Sequence, residues 1–130
     1  MMSVNLEILD EGIIWKNPYP SIRSVYAWHG HTENLGGGEL IHAMRVGQAK
    51  SGVDCRCKML RSLDHGKTWK ETTPLIPEEE VESGFSFLTA FPRLDSKGRL
   101  WATSLKLRQI EPEDSRWTPD NGGWIGAEAF

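Results

Sequence analysis

Apolar and polar residues alternate along this chain in short runs separated by breakers. Residues 7–15 alternate in part and predict a first strand, which Asn17-Pro18-Tyr19-Pro20 ends. Residues 21–28 carry Ile22, Val25, Tyr26 and Trp28, all strand formers, and predict a second. Residues 30–38 are polar, include Gly36-Gly37-Gly38 and read as a flexible loop. A strand over 38–46 follows, with Leu40, His42, Met44 and Val46 on one face. Over 53–62, Cys55, Cys57 and Met59 alternate with Asp54, Arg56 and Lys58, which predicts another strand. Pro77-Glu78-Glu79-Glu80-Val81-Glu82 reads as a solvated loop or a single helical turn. Residues 86–92 then lead to a tight turn at Asp95-Ser96-Lys97-Gly98 and a strand over 99–107. No window long enough to judge shows an apolar stripe of helical period. The pattern is all-β.

It also repeats. Gly38-Glu39-Leu40-Ile41 corresponds to Gly98-Arg99-Leu100-Trp101, sixty residues later. A period of that size is the mark of a repeat architecture. Composition sharpens this reading: 13 Gly and 6 Trp in 130 residues suit turns and packed sheet faces better than helices.

Fifteen basic against eighteen acidic residues leave a net charge of −3, without the basic field that nucleic acid requires. No stretch approaches the ~20 apolar residues of a membrane-spanning helix. Met1-Met2-Ser3-Val4-Asn5 has no basic residue, and Asp10 and Glu11 end the apolar run after it, so no secretory leader is expected. Cys55 and Cys57 are too close for an ordinary bridge and read as reduced thiols on one strand face. A cytoplasmic, reducing location is the corresponding expectation.

The most specific string is Ser62-Leu63-Asp64-His65-Gly66-Lys67-Thr68-Trp69, which fits S-x-D-x-G-x-T-W at every defined position. Asp64 can accept hydrogen bonds from backbone N–H groups that follow it. Gly66 supplies the positive φ of a tight hairpin. Thr68 starts the return strand, and Trp69 can lay its ring under the turn with its N–H free for a partner.

That string resembles the Asp-box, the bacterial-neuraminidase repeat that joins the third and fourth strands of sialidase-type propeller blades. The Pro-rich stretch Tyr19-Pro20-Ser21-Ile22, the Gly-led strand and the strand running into the box follow the same order. Thr118-Pro119-Asp120-Asn121-Gly122-Gly123-Trp124 reads either as a degenerate second box or as a plain turn before a strand over 124–130. The resemblance implies a partial sialidase-like β-propeller: about two four-stranded antiparallel blades, over 17–76 and 84–130, and the start of a third. Two blades leave open faces, so further blades downstream or association of copies is expected.

The resemblance also implies a chemistry. Sialidases grip the carboxylate of their sugar with three arginines and use a Tyr–Glu pair with an Asp acid/base. Guanidinium suits the task because it binds a carboxylate through two charge-assisted hydrogen bonds. Arg23 is the candidate for the first arginine, and Asp54 the candidate substitute for the acid/base Asp, since none lies near Arg45-Val46-Gly47-Gln48. Later arginines and the Tyr–Glu pair are not found here, and no tyrosine follows Tyr26. The chain therefore reads as the N-terminal part of an exo-α-sialidase-like glycoside hydrolase, not catalytic by itself. The alternatives are a non-catalytic glycan- or protein-binding module and a purely structural repeat.

Trp28, His29 and His31, with Arg23 and Arg45, suit carbohydrate recognition: an aromatic face takes a pyranose ring and polar groups read its hydroxyls. The same His29-x-His31 pair could hold a metal only with Glu33 as third ligand, and a solvent-exposed loop is the better reading. A carbohydrate partner is expected, sialosides included, and no metal, cofactor, nucleic acid or membrane.

Overall fold

Every regular element among the described residues is a β-strand, and every pairing is antiparallel. The computed structural model describes residues 5–20, 25–48, 54–73, 85–87, 90–108 and 127–129. The strands are β1 (Tyr26–Gly36), β2 (Glu39–Gly47), β3 (Arg56–Ser62), β4 (Lys70–Glu71), β5 (Phe85–Phe87), β6 (Phe91–Leu94), β7 (Leu100–Thr103), β8 (Leu105–Arg108) and β9 (Ala127–Ala129). β1 to β4 form one sheet in chain order.

β2 lies inside that sheet, and its alternation sends apolar side chains to both faces. One face carries Ile41 and Ala43 with Cys57 and Met59 of β3, and closes on Leu35, Ala90 and Ala102. The other carries Met44, Val46 and Leu60, covered by Ile14, Trp15, Val25 and Trp69. Both cysteines are buried free thiols.

Two expectations need correction. Residues 7–15 form no strand: the segment crosses the sheet as irregular chain, anchored by Ile14 and Trp15, with Leu6, Ile8 and Leu9 in solvent. Only Ile14 and Trp15 pack on the sheet, so the partial alternation before them has no face to bury. The expected loop over 30–38 is strand as far as Gly36, and only Gly37-Gly38 turns, with φ +62° and +88°. Its polarity reflects an edge strand, whose residues face solvent on one side and a polar contact on the other. The acidic run 77–82 lies outside the described residues.

The sixty-residue repeat is visible in the pairing itself. In the first hairpin Ala27 faces Val46 and His31 faces Ala43, so one extra residue of β1 is accommodated at His29–Gly30. In the second, Phe87 faces Lys106 and Phe91 faces Thr103, each partner sixty positions on. Glu33↔Ile41 becomes Arg93↔Trp101, and Asn34↔Leu40 becomes Leu94↔Leu100. β5 pairs with β8 in a three-stranded sheet completed by β9, and β6 pairs with β7 in a two-stranded sheet; between the two pairings the register shifts by one residue, as it does within the first hairpin.

The third strand departs from the period. Arg45 faces Cys57 in the first unit, which predicts residue 117 opposite Leu105, but Leu105 faces Ala129, twelve residues later. Residues 118–124, the proposed second box, lie outside the described residues and precede β9 in the chain. The Ser62–Trp69 loop follows its third strand instead.

Candidate functional site

The loop from Ser62 to Trp69 joins β3 to β4. His65 and Gly66 have φ of +61° and +87°, the values of a type I′ turn. Lys67 N–H reaches Asp64 O at 3.4 Å, and His65 N–H donates to Gly38 O at 2.9 Å, which ties the loop to the β1–β2 turn. Asp64 organises the rest. Its Oδ1 accepts from Ser62 Oγ (2.8 Å) and Thr68 N–H (2.9 Å), and its Oδ2 from Thr68 Oγ1 (2.6 Å). Gly66 N–H donates to Ser62 Oγ at 2.9 Å. Those donors, Thr68 Oγ1 first, hold the Asp64 carboxyl down at about 2. Trp69 packs on the Met44–Val46–Leu60 face and returns its indole N–H to Gly66 O at 2.9 Å. Ser62, Asp64 and Thr68 thus satisfy one another and fix the turn.

The candidate binding residues lie toward the other end of the sheet. Leu40 faces Ser62, whereas Arg45 faces Cys57 on β3 and Trp28 on β1. Five residues separate Leu40 from Arg45, about 16 Å of strand. Arg45 is only 2% exposed. Its Nε and Nη2 have no hydrogen-bond partner among the described residues. Among the described residues, its neighbours Cys57 and Asp54 are not paired with it. Burial pushes the Cys57 thiol up, so it stays neutral, and Asp54 accepts from Gln48 N–H at 2.9 Å across the loop between β2 and β3. A buried guanidinium with two nitrogens unmet among the described residues is costly, and an anion would offset that cost.

The two histidines of β1 take different tasks. His29 sits in the bulge at φ +50°, exposed, and lines an open cavity of about 370 Å³ with Gly12, Trp15, Ala27 and His42. The His31 ring lies against Phe91, centroids 4.1 Å apart. Glu33, weighed as a third metal ligand, instead accepts from Leu94 N–H at 2.9 Å and Arg93 Nη1 at 3.1 Å. No group of three or more His, Cys, Asp or Glu among the described residues is placed to hold a metal ion. Arg23 lies outside the described residues, and of Trp28 the backbone register alone is described.

Sequence reasoning passed over His42. It is buried, shares a 2.7 Å hydrogen bond between Nδ1 and Thr32 Oγ1, and meets Trp69 edge-on at 5.8 Å. Burial, and then the charge of His31, push its pKa down. A histidine between Leu40 and Met44 on an apolar face was the available signal. The site thus brings Arg45 together with Trp28 in register, keeps Asp54 at the same end, and sends His31 to the contact with the second hairpin. No protein family, curated protein or solved structure matches this chain.

Proposed function

We propose that the chain is the N-terminal part of a sialidase-like propeller, and that it binds an acidic glycan without hydrolysing it alone. The observation that carries the binding reading is Arg45: a buried guanidinium whose Nε and Nη2 meet no acceptor among the described residues. A sugar carboxylate is the anion that a planar, two-donor fork suits best. The self-contained turn at Asp64 and Trp69 supports the lineage, since it joins a third strand to a fourth as the Asp-box resemblance implies. Arg45 lies toward the other end of the sheet from that turn.

Titration with free N-acetylneuraminic acid and with its methyl ester tests this. Saturable binding of the acid, no binding of the ester, and loss of binding in Arg45→Gln are expected. A fluorogenic sialoside should not be turned over. Arg45→Met provides a folding control: with no anion bound it should raise the melting temperature, because an apolar side chain replaces an unpaired buried charge. Equal binding of acid and ester, or binding unchanged in Arg45→Gln, would sink the carboxylate reading and leave a structural repeat.

A further inference from the structure

The segment that crosses the first sheet does not seal the face it covers. Between Ile13, Ile14 and Trp15 on that segment and Met44 on β2 lies an open cavity of about 370 Å³, with His29 and His42 on its wall. Ligand pockets run from roughly 300 to 1,000 Å³, so a cavity of this size takes a one-ring molecule. Sixty residues on, the positions of Gly30 and His42 hold Ala90 and Ala102, and both alanines pack into the core between the units. The second hairpin therefore fills with methyl groups the positions at which the first opens a cavity.

Both imidazoles reach the cavity through unusual backbone. His29 occupies the bulge at φ +50°, a conformation that glycine adopts freely and that strains a residue with a Cβ. Gly30 lacks the Cβ that would strike the His42 ring, 2.5 Å from Cε1 and 2.6 Å from Nε2. His42 is only 7% exposed. Thr32 Oγ1 holds its Nδ1 at 2.7 Å, which sets the Nε2 edge of the ring toward Gly30, itself on the cavity wall. A hydroxyl suits Nε2 in either tautomer, because it both donates and accepts. The Met44 sulfur and the Trp15 ring suit an aromatic neighbour. Among the described residues, no lysine, arginine, aspartate or glutamate lines the cavity, which disfavours an ion.

We propose that this cavity binds a small neutral phenol, with its hydroxyl on His42 Nε2 and its ring against Met44 and the Ile13–Trp15 segment. His29, exposed on the same wall, is a second contact for the bound ring. The inference goes beyond the glycan reading and does not depend on it: Arg45 lies with Ile41 and Ala43 on the opposite face of β2 from His42 and Met44.

Titration with p-cresol, followed by NMR at the Met44 methyl and the His42 ring, tests it. Both resonances should shift saturably. Toluene, which lacks the hydroxyl, should bind roughly tenfold more weakly, because Nε2 then faces it unpaired. The anion p-toluate should not bind, and N-acetylneuraminic acid should not compete with p-cresol, so failure here and failure at Arg45 are distinguishable. His42→Leu should abolish the preference for p-cresol over toluene. His29→Gly relieves the backbone strain, so it should keep the fold while weakening p-cresol binding, and it decides the matter if His42→Leu does not fold. Absence of saturable shifts up to the solubility of p-cresol overturns the proposal. So does equal binding of toluene, or a p-cresol affinity that either folded variant leaves unchanged.

Discussion

At the scale of single residues, Gly30 and His42 form a matched pair. A Cβ on Gly30 would lie 2.5 Å from Cε1 and 2.6 Å from Nε2 of the His42 ring. Sixty residues on, the same two positions hold Ala90 and Ala102, where a methyl group has no imidazole to meet. Gly30→Ala should therefore cost about 1–3 kcal/mol by overpacking. The cost should shrink in a His42→Ala background, a coupling that a double-mutant cycle in urea would measure. Equal costs in both backgrounds would refute the pairing. Asp64 supplies a second residue-level test. Its folded carboxyl, held at about 2, lies below its ordinary value of 3.8, so its contribution to stability is complete above about pH 4 and is lost as pH falls through 2. Thr68→Val removes the largest cause and should move the Asp64 carboxyl resonance midpoint upward in an NMR titration, with acid unfolding at higher pH.

At the scale of elements, the turn from Ser62 to Trp69 is the part most dependent on few groups. Gly66→Ala places a side chain at φ +87° with its Cβ 3.3 Å from Leu40 Cδ1, and should cost about 1–2 kcal/mol. Trp69→Ala should cost about 3 kcal/mol, the low end for removing a large ring because this one is only partly buried. Thermal melts of both variants check this, and an unchanged melting temperature in both would remove the turn from any role in stability. This turn was legible because its chemistry is local: Ser62, Asp64, Gly66 and Thr68 lie within seven residues, Asp64 accepting from Ser62 and Thr68 and Ser62 from Gly66 N–H. β3 was legible from alternation because one of its faces is only partly buried, and β2 from a run of strand formers buried on both faces. β1 was legible only at its start, Tyr26–Trp28; the rest was not, because Thr32 and Asn34 are exposed and Glu33 is taken up by Arg93 and Leu94, sixty and sixty-one positions away. Residues 7–15 failed in the opposite direction: hydrophobic side chains there imitate a strand, but no strand among the described residues pairs with them. Arg45 could be named as a binding candidate from the sequence, yet its burial and orphaned donors are properties of the folded sheet.

At the scale of the whole molecule, the two hairpins share a core that neither holds alone. Ala90 and Ala102 close the cluster of Ile41, Ala43, Cys57 and Met59. Glu33 ties the rim of this contact from one unit to the other, and its carboxyl is pulled down first by Leu94 N–H and further by Arg93. A carboxylate held this way keeps its grip below the ordinary glutamate range and releases it only as pH falls through the lowered value. Glu33→Ala removes both bonds without touching the turn at Asp64. Amide hydrogen exchange should then quicken at Leu94 and along β6 and β7, while the Thr68 amide, bonded to Asp64, keeps its rate. Wild-type exchange at Leu94 should approach that of the variant in acid, and the variant should lack that extra acid dependence. Uniform acceleration across all strands would show that Glu33 contributes to global stability instead of joining two separable units. An unchanged rate at Leu94 would mean that the buried alanines hold the second hairpin without it.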